Sequence, residues 1–386
     1  MPEPADGLTP EQEDIRAMCR EFAARELRPR SAAVDEDEFT FPWDVWEAAA
    51  GVGLTAFMLP ERLGGGGLED CLTGCLVQAE LSNGCAGLGN LVTSGGFFAE
   101  PVLALGTPAQ QEEWLTPLCD PARPPLTALA TTEPGAGSDA ASIRTAARRD
   151  GDGYVLSGQK AWISNGGVAD RYVVFATVAP GTRSRGVTAF LVRAGDPGVR
   201  CGPPIPKMGQ RAIPNTELFL DDVPLGAERR LGEEGQGFAG LMATFDRSRI
   251  TLAASATGLA RAALDYAVEY AGEREQFGVP ISQHQAVAFR LADVATRVRA
   301  SWLLTLDAAR RADRGERVTR EAAMAKLHAS ETAMLATWAA VQTLGGWGYS
   351  REYPVEKWMR DAKLEEIEEG TSDIQRLIIS RSLWRA

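Results

Sequence analysis

The apolar pattern of this chain switches period twice, from helical to strand-like and back to helical. That order restricts the fold to a sheet region set between two helical blocks. Thr9-Pro10-Glu11-Gln12 opens the first helix: Thr9 caps it, Pro10 is tolerated at the first helical position, and Gln12 completes a capping box. Ile15, Met18, Cys19 and Phe22 then recur at helical spacing, and further helical pattern covers 43–52, 69–82 and 96–118. The run Gly64-Gly65-Gly66-Gly67 reads as a mobile turn between helices. Character changes at Pro121-Ala122-Arg123-Pro124-Pro125. Beyond it, Tyr154–Leu156, Arg171–Phe175, Val187–Val192 and Glu217–Leu220 are short and rich in β-branched and aromatic residues. Their spacing predicts a compact antiparallel sheet or barrel, not crossover units. Long helices return over 237–271, 282–313, 319–344 and 372–384, and Ala253-Ala254-Ser255-Ala256 suits close helix packing.

Composition removes several classes of function. The formal net charge is −12, a surface that nucleic-acid phosphates would repel. No apolar run approaches the roughly 20 residues of a membrane span. Residues 1–6 are acidic and lack the apolar stretch of an export signal. Cys19, Cys71, Cys75, Cys85, Cys119 and Cys201 form no C-x-x-C pair and read as reduced thiols of a cytoplasmic protein. Nothing completes a zinc site around Cys71 and Cys75. The chain lacks G-x-S-x-G, a Walker-type loop, and a G-x-G-x-x-G after a strand. With only two histidines, His284 and His328, a catalytic triad or a histidine metal site is hard to assemble, and His328 reads as structural.

Three segments carry possible chemistry. Glu369 stands directly before Gly370, and Thr371-Ser372-Asp373 can cap a helix with Ile374, Leu377 and Ile378 on one face. A carboxylate on such a bend can act as a base beside a helix N-terminus. Taken alone, Glu365, Glu366, Glu368 and Glu369 read as a solvated acidic patch. Thr131-Thr132-Glu133-Pro134-Gly135-Ala136-Gly137-Ser138-Asp139 is either a plain turn or a loop whose small residues let backbone N–H groups approach a ligand. In Gln159–Gly167, Trp162 and Ser164 share one side of a strand and can flank a planar ring; core packing of Trp162 explains the pattern equally well.

TTEPGAGSD (131–139), QKAWISNGG (159–167), MGQR (208–211), FDRSR (245–249), EREQFG (273–278), HQ (284–285), QTLGGWGY (342–349), YPVEKWMRDAK (353–363) and EEGTSDIQR (368–376) occur in the order and spacing of the acyl-CoA dehydrogenases. The chain resembles that family from Leu8 to about Leu383. The resemblance implies a mainly α fold with a central β-domain: an N-terminal helical domain (1–122), a middle β-barrel or sheet domain (123–232) and a C-terminal four-helix bundle (233–386). It implies FAD held non-covalently at a subunit interface of a homotetramer, a dimer of dimers. Thr131, Thr132 and Ser138 match the loop along the flavin, and Trp162, Ile163 and Ser164 match the strand at its ring system. Arg274, Gln276 and Phe277, with His284 and Gln285, match the segment reaching a neighbouring subunit's FAD. Gln342, Gly345 and Gly346 match the turn near the adenine, and Thr371 and Asp373 match contacts at the helix start. Ser138, Asp246, Arg249 and Gly370 match substrate contacts, and Glu369 matches the catalytic base. Some members place the base one residue before the position of Arg249; here that residue is Ser248.

The implied reaction is α,β-dehydrogenation of an acyl-CoA, with an electron-transferring flavoprotein as acceptor. A carrier-protein thioester dehydrogenase and a flavin monooxygenase on the same fold are the alternatives; the monooxygenases usually lack the Glu. A free Glu near pKa 4.3 is a poor match for the α-proton of a thioester. Burial against the acyl chain should raise it, and nearby Glu365, Glu366 and Glu368 should add to the push. Many relatives carry Tyr at the positions of Glu365 and Glu368; Glu368 reads as an exposed rim residue or as the mark of a polar or amino-bearing acyl group. Leu129, Thr93, Ser94, Phe97 and Phe98 lie where relatives shape the flavin surroundings and the acyl pocket.

Overall fold

The computed structural model describes residues 7–37 and 39–384. The acidic start at residues 1–6, read above for export, lies outside them.

The first helical block holds α1 (Pro10–Phe22), α2 (Ser31–Glu36), α3 (Trp43–Gly51), α4 (Cys71–Gly84), α5 (Ala86–Thr93), α6 (Gly95–Leu105) and α7 (Pro108–Leu115). The capping box at Thr9 forms as the sequence predicts: Gln12 N donates to Thr9 Oγ1 and Thr9 N donates to Gln12 Oε1. The helical pattern expected over 96–118 is two helices. α6 stops at Gly106, and Thr107, Pro108 and Gln110 build a second capping box that starts α7. A strong start signal inside an apolar run overrides its periodicity.

The glycine run is packed, which corrects its reading as a mobile turn. A Cβ on Gly65 would sit 2.2 Å from the Leu59 carbonyl oxygen, and one on Gly66 2.8 Å from that of Phe57. The Gly66 and Gly67 amides donate to Ala56 O and Leu59 O. Only residues without side chains allow that approach.

The sheet contains β1 (Thr127–Ala130), β2 (Ala146–Asp150), β3 (Gly153–Ser164), β4 (Arg171–Thr177), β5 (Val187–Arg193), β6 (Val199–Cys201), β7 (Asn215–Leu225) and β8 (Arg230–Leu231). Its order is β6-β7-β3-β2-β4-β5-β8, with β1 beside β4. Most pairs are antiparallel, as expected from the short spacing. β1 is not: it runs parallel to β4, Thr127 opposite Arg171. A parallel pair needs a long connection, and the segment between them, with its β2–β3 hairpin, supplies one without a crossover helix.

The second helical block has α8 (Gly237–Glu273), α9 (Gln285–Asp313), α10 (Thr319–Leu344), α11 (Val355–Glu365) and α12 (Ser372–Leu383). α2, α5 and α11 lie outside the helical patterns read from the sequence. Ala253, Ala254, Ala256, Ala260 and Ala263 of α8 and Ala322, Ala325, Ala329, Ala333 and Ala336 of α10 are buried in one core cluster. Side chains this small let the helix backbones approach closely. Among the described residues no helix is long and apolar enough to cross a membrane, and no group of three or more His, Cys, Asp or Glu is placed to hold a metal ion.

Candidate active site

α11 ends at Glu365, and the chain turns through Glu366–Gly370 before Thr371 caps α12 by accepting from Ile374 N at 3.4 Å. The turn is left-handed at its base: φ is +50° at Glu369 and +100° at Gly370. A non-glycine residue in that region is held there by its surroundings. Three side chains do so. Arg249 Nε donates to Glu369 O at 3.1 Å, Gln375 Nε2 to Gly370 O at 2.8 Å, and Lys326 Nζ to Gly370 O at 3.0 Å. Arg249 is itself paired with Asp246 at 3.2 Å, and Asp246 accepts from Thr319 Oγ1 at 2.5 Å. The Glu369 amide finds no acceptor among the described residues.

The Glu369 carboxyl is only half satisfied. Oε2 accepts from Ser248 Oγ at 2.6 Å, while Oε1 is buried without a partner. Burial pushes this acid up to about 7, against the opposing pull of the Ser248 hydroxyl, Arg249 and Lys326. The expected rise is present, but the expected push from the acidic neighbours falls the other way: burial first, then the charges of Glu365 and Glu369, hold Glu368 well above the carboxylate range. Glu366 is engaged by Lys363 at 2.6 Å.

The acidic run is therefore no solvated patch, and Glu368 is no exposed rim residue. Glu365 is fully buried and raised to about 7 by burial; Glu368 Oε1 is buried with no partner. A further acid with a buried carboxyl oxygen, the half-buried Glu100 of α6, is raised to about 8 by desolvation, with Arg247 opposing and Glu369 adding to the rise.

The other sequence-predicted residues fall in two more places. On the sheet, the Trp162 ring is 57% exposed with φ +60°, which rules out the core-packing reading. Ser164 is exposed beside it, and Ile163 is buried on the opposite side of β3. Thr131 Oγ1 is buried and unpartnered, Thr132 O accepts from Ala161 N, and Ser138 is exposed in the loop. That loop is anchored: Glu133 accepts from Arg144 N, Thr145 N, Thr145 Oγ1 and Lys160 Nζ at 2.6–2.9 Å. The third place is a cleft of about 780 Å³ in the second helical block, lined by Arg274, Gln276, Phe277, His284, Gly345 and Gly346 among others. Thr343 of the same cleft has a buried, unpartnered hydroxyl. Gln285 and Gln342 are exposed next to cleft residues without lining it, and Asp373 is an exposed first-turn residue of α12 near Arg376.

Sequence reasoning missed Ser248 as a hydrogen-bond partner and Lys326, Gln375 and Glu100 altogether. Lys326 had a readable signal: it lies among Ala322, Ala325 and Ala329 on the apolar face of α10, where an unpaired cation would be costly.

The chain is similar to known proteins along nearly its whole length. Over residues 9–121, 128–223 and 235–384 the chain matches, in turn, the acyl-CoA dehydrogenase N-terminal, middle and C-terminal domain families. The mitochondrial short-chain specific acyl-CoA dehydrogenase of Bos taurus is 42% identical over 373 residues, covering 96% of this chain and 90% of that one. The butyryl-CoA dehydrogenase structure from Megasphaera elsdenii superposes with a TM-score of 0.94 at 38% identity, covering 98% and 99% of the two chains. A chain from a structure of the electron transferring flavoprotein of Acidaminococcus fermentans gives a TM-score of 0.94 at 39% identity, covering 98% and 99%.

Proposed function

The chain belongs to the acyl-CoA dehydrogenase family, and we propose that Glu369 is the base that takes the α-proton of its acyl-CoA substrate. The protein is an oxidoreductase that dehydrogenates acyl-CoA; the relatives do not favour the carrier-protein alternative. The observation that supports Glu369 is its half-satisfied carboxyl, one oxygen on Ser248 and the other buried without a donor. A carboxyl near 7 is partly ionised at neutral pH and better matched to a carbon acid than one near 4. Its unclaimed backbone N–H suits the thioester oxygen, on which negative charge grows as the proton leaves. Arg249, Lys326 and Gln375 hold the two carbonyls of the turn and so fix where the carboxyl points. The presence of Glu369 weighs against the monooxygenase reading.

Members of the family are FAD-dependent flavoproteins. FAD, when bound, supplies the acceptor for the hydride leaving C3. The residues present fit it: the exposed Trp162 ring offers a stacking face, Thr131 Oγ1 is an orphaned hydroxyl nearby in the sheet region, and the Arg274–Gly346 cleft joins a guanidinium to glycines with open space around them. A homotetramer is supported by large aromatics left open on the second helical block: Phe277, Phe289, Trp338 and Tyr349. An electron-transferring flavoprotein as acceptor is supported by the Acidaminococcus likeness, and a cytoplasmic setting by the free cysteines. The test is anaerobic titration of the purified yellow protein with acyl-CoAs from butyryl to octanoyl. Bleaching of the flavin band is expected, and no bleaching with any of them, nor with acyl-CoAs bearing a polar group on the chain, would refute the assignment.

A further inference from the structure

Buried polar side chains form a ribbon that starts beside the base and runs away from it. Glu365 Oε1 accepts from Gln210 Nε2 at 3.0 Å and from Ser255 Oγ at 3.2 Å. Asn90 Nδ2 donates to Gln210 Oε1 at 2.8 Å, Gln78 Nε2 to Asn90 Oδ1 at 2.6 Å, and Thr93 Oγ1 to Gln78 Oε1 at 2.6 Å. Inside the ribbon the donors and acceptors satisfy one another. At its end next to the base they do not: Glu365 Oε2 and Glu368 Oε1 are both buried without a partner, and Glu365 is 0% exposed.

The cations in reach are already engaged. Lys326 donates to Gly370 O, Arg249 is paired with Asp246, Lys357 with Asp361 at 2.6 Å, and Lys207 donates to Gln210 O, Ile213 O and Asn215 Oδ1. Lys326 acts on all three carboxyls, Glu365, Glu368 and Glu369, with Arg249 adding at Glu369 and Lys207 at Glu368. A plain hydrocarbon tail would leave both orphaned oxygens unpaired in the closed complex.

We propose that this site is built for an acyl thioester whose chain carries an amine beyond C3, seated against Glu368 and Glu365. The inference rests on the dehydrogenase reading with Glu369 as base. Glu368 stands one residue before the base, about 3.8 Å away along the backbone, so a group bonded to it belongs to a part of the acyl chain close to the reacting carbons but not at them. A protonated amine supplies the donors that both oxygens lack, and its charge draws Glu368 and Glu365, which burial otherwise holds toward the neutral acid, to the carboxylate. A hydroxyl supplies only a donor.

The test compares pentanoyl-CoA, 5-hydroxypentanoyl-CoA and freshly prepared 5-aminopentanoyl-CoA as reductants of the holoenzyme flavin under anaerobic conditions. The amine is expected to lead in kcat/KM by about 10²-fold or more over pentanoyl-CoA, because a buried polar site left unpaired rejects the apolar analogue strongly. Glu368→Leu should erase that lead by slowing the amine and speeding pentanoyl-CoA, and the near-isosteric Glu368→Gln should lose most of it. The wild-type ratio needs no variant, so a misfolded substitution leaves the test intact. Equal or faster bleaching by pentanoyl-CoA overturns the amine proposal and leaves the dehydrogenase reading standing. Equal bleaching by the hydroxyl and amine compounds overturns the role of charge. No bleaching by any of the three, nor by the unsubstituted series from butyryl to octanoyl, overturns both readings.

Discussion

Glu133 in the sheet region and Glu369 at the turn both withdraw their carboxyls from solvent, yet their surroundings drive them in opposite directions. Burial pushes Glu133 up, but Lys160, two backbone amides and the Thr145 hydroxyl more than offset it and hold the acid below the ordinary carboxylate range. Glu369 has one hydroxyl donor and an empty second oxygen, so burial prevails and the acid rises to about 7. The donors set against burial decide whether such a group is a fixed anion that ties a fold together or a titrating group that can take a proton.

The sharpest way to break that contrast is to exchange the reactive member. Glu369→Gln should keep bound flavin and folded structure while lowering the rate of flavin reduction by at least about 10³-fold, measured by anaerobic stopped flow. A near wild-type rate would remove Glu369 as the base. On the structural side, Lys160→Met leaves the Glu133 carboxylate without its cation. It should cost about 3–5 kcal/mol of stability, read from denaturant midpoints, with the reduction rate of the folded fraction little changed. Loss of activity without loss of stability would mean that the pair belongs to the chemistry.

Titration sharpens the comparison further. The base must be ionised to accept a proton, so flavin reduction should rise with pH through about 7 and then level off. A profile flat from pH 6 to 8.5 would contradict the buried environment. Ser248→Ala removes the hydroxyl that favours the anion, so the inflection should move upward, and the loss at pH 7 should stay within about tenfold. The smallest effect is on stability. Glu365 and Glu369 have folded values of about 7, above their unfolded values, so their contribution is complete below about 4.3 and is lost as pH rises to about 7. Thermal midpoints should therefore fall modestly from pH 5 to pH 8, and Glu365→Gln should flatten that slope.

The sequence shows some of this plainly. The capping signals at Thr9 and Thr371 mark real helix starts, and the alanine-rich stretch of α8 is the close-packed seam it resembled, because local chemistry determines both. The proposed base stood out through its place before Gly370 together with the family resemblance. What escaped depends on partners far along the chain. β1 pairs with β4 in parallel through a connection that no local pattern announces. Glu365 looks like a surface acid until Gln210, more than 150 positions earlier, donates to it. The predicted cofactor residues separate into a sheet face and a distant cleft because motifs fix residue types and order, while folding decides which of them meet.

The four-donor clamp on Glu133 has a consequence for how the enzyme is loaded. One of its donors, Lys160, stands on the strand that carries Trp162 and also donates to Thr131 O, so the Thr131–Asp139 loop is tied to that strand at two points. A prosthetic group arriving there meets a seat already formed. Stripped protein should take the group back without refolding, read as return of the flavin absorption band when FAD is added.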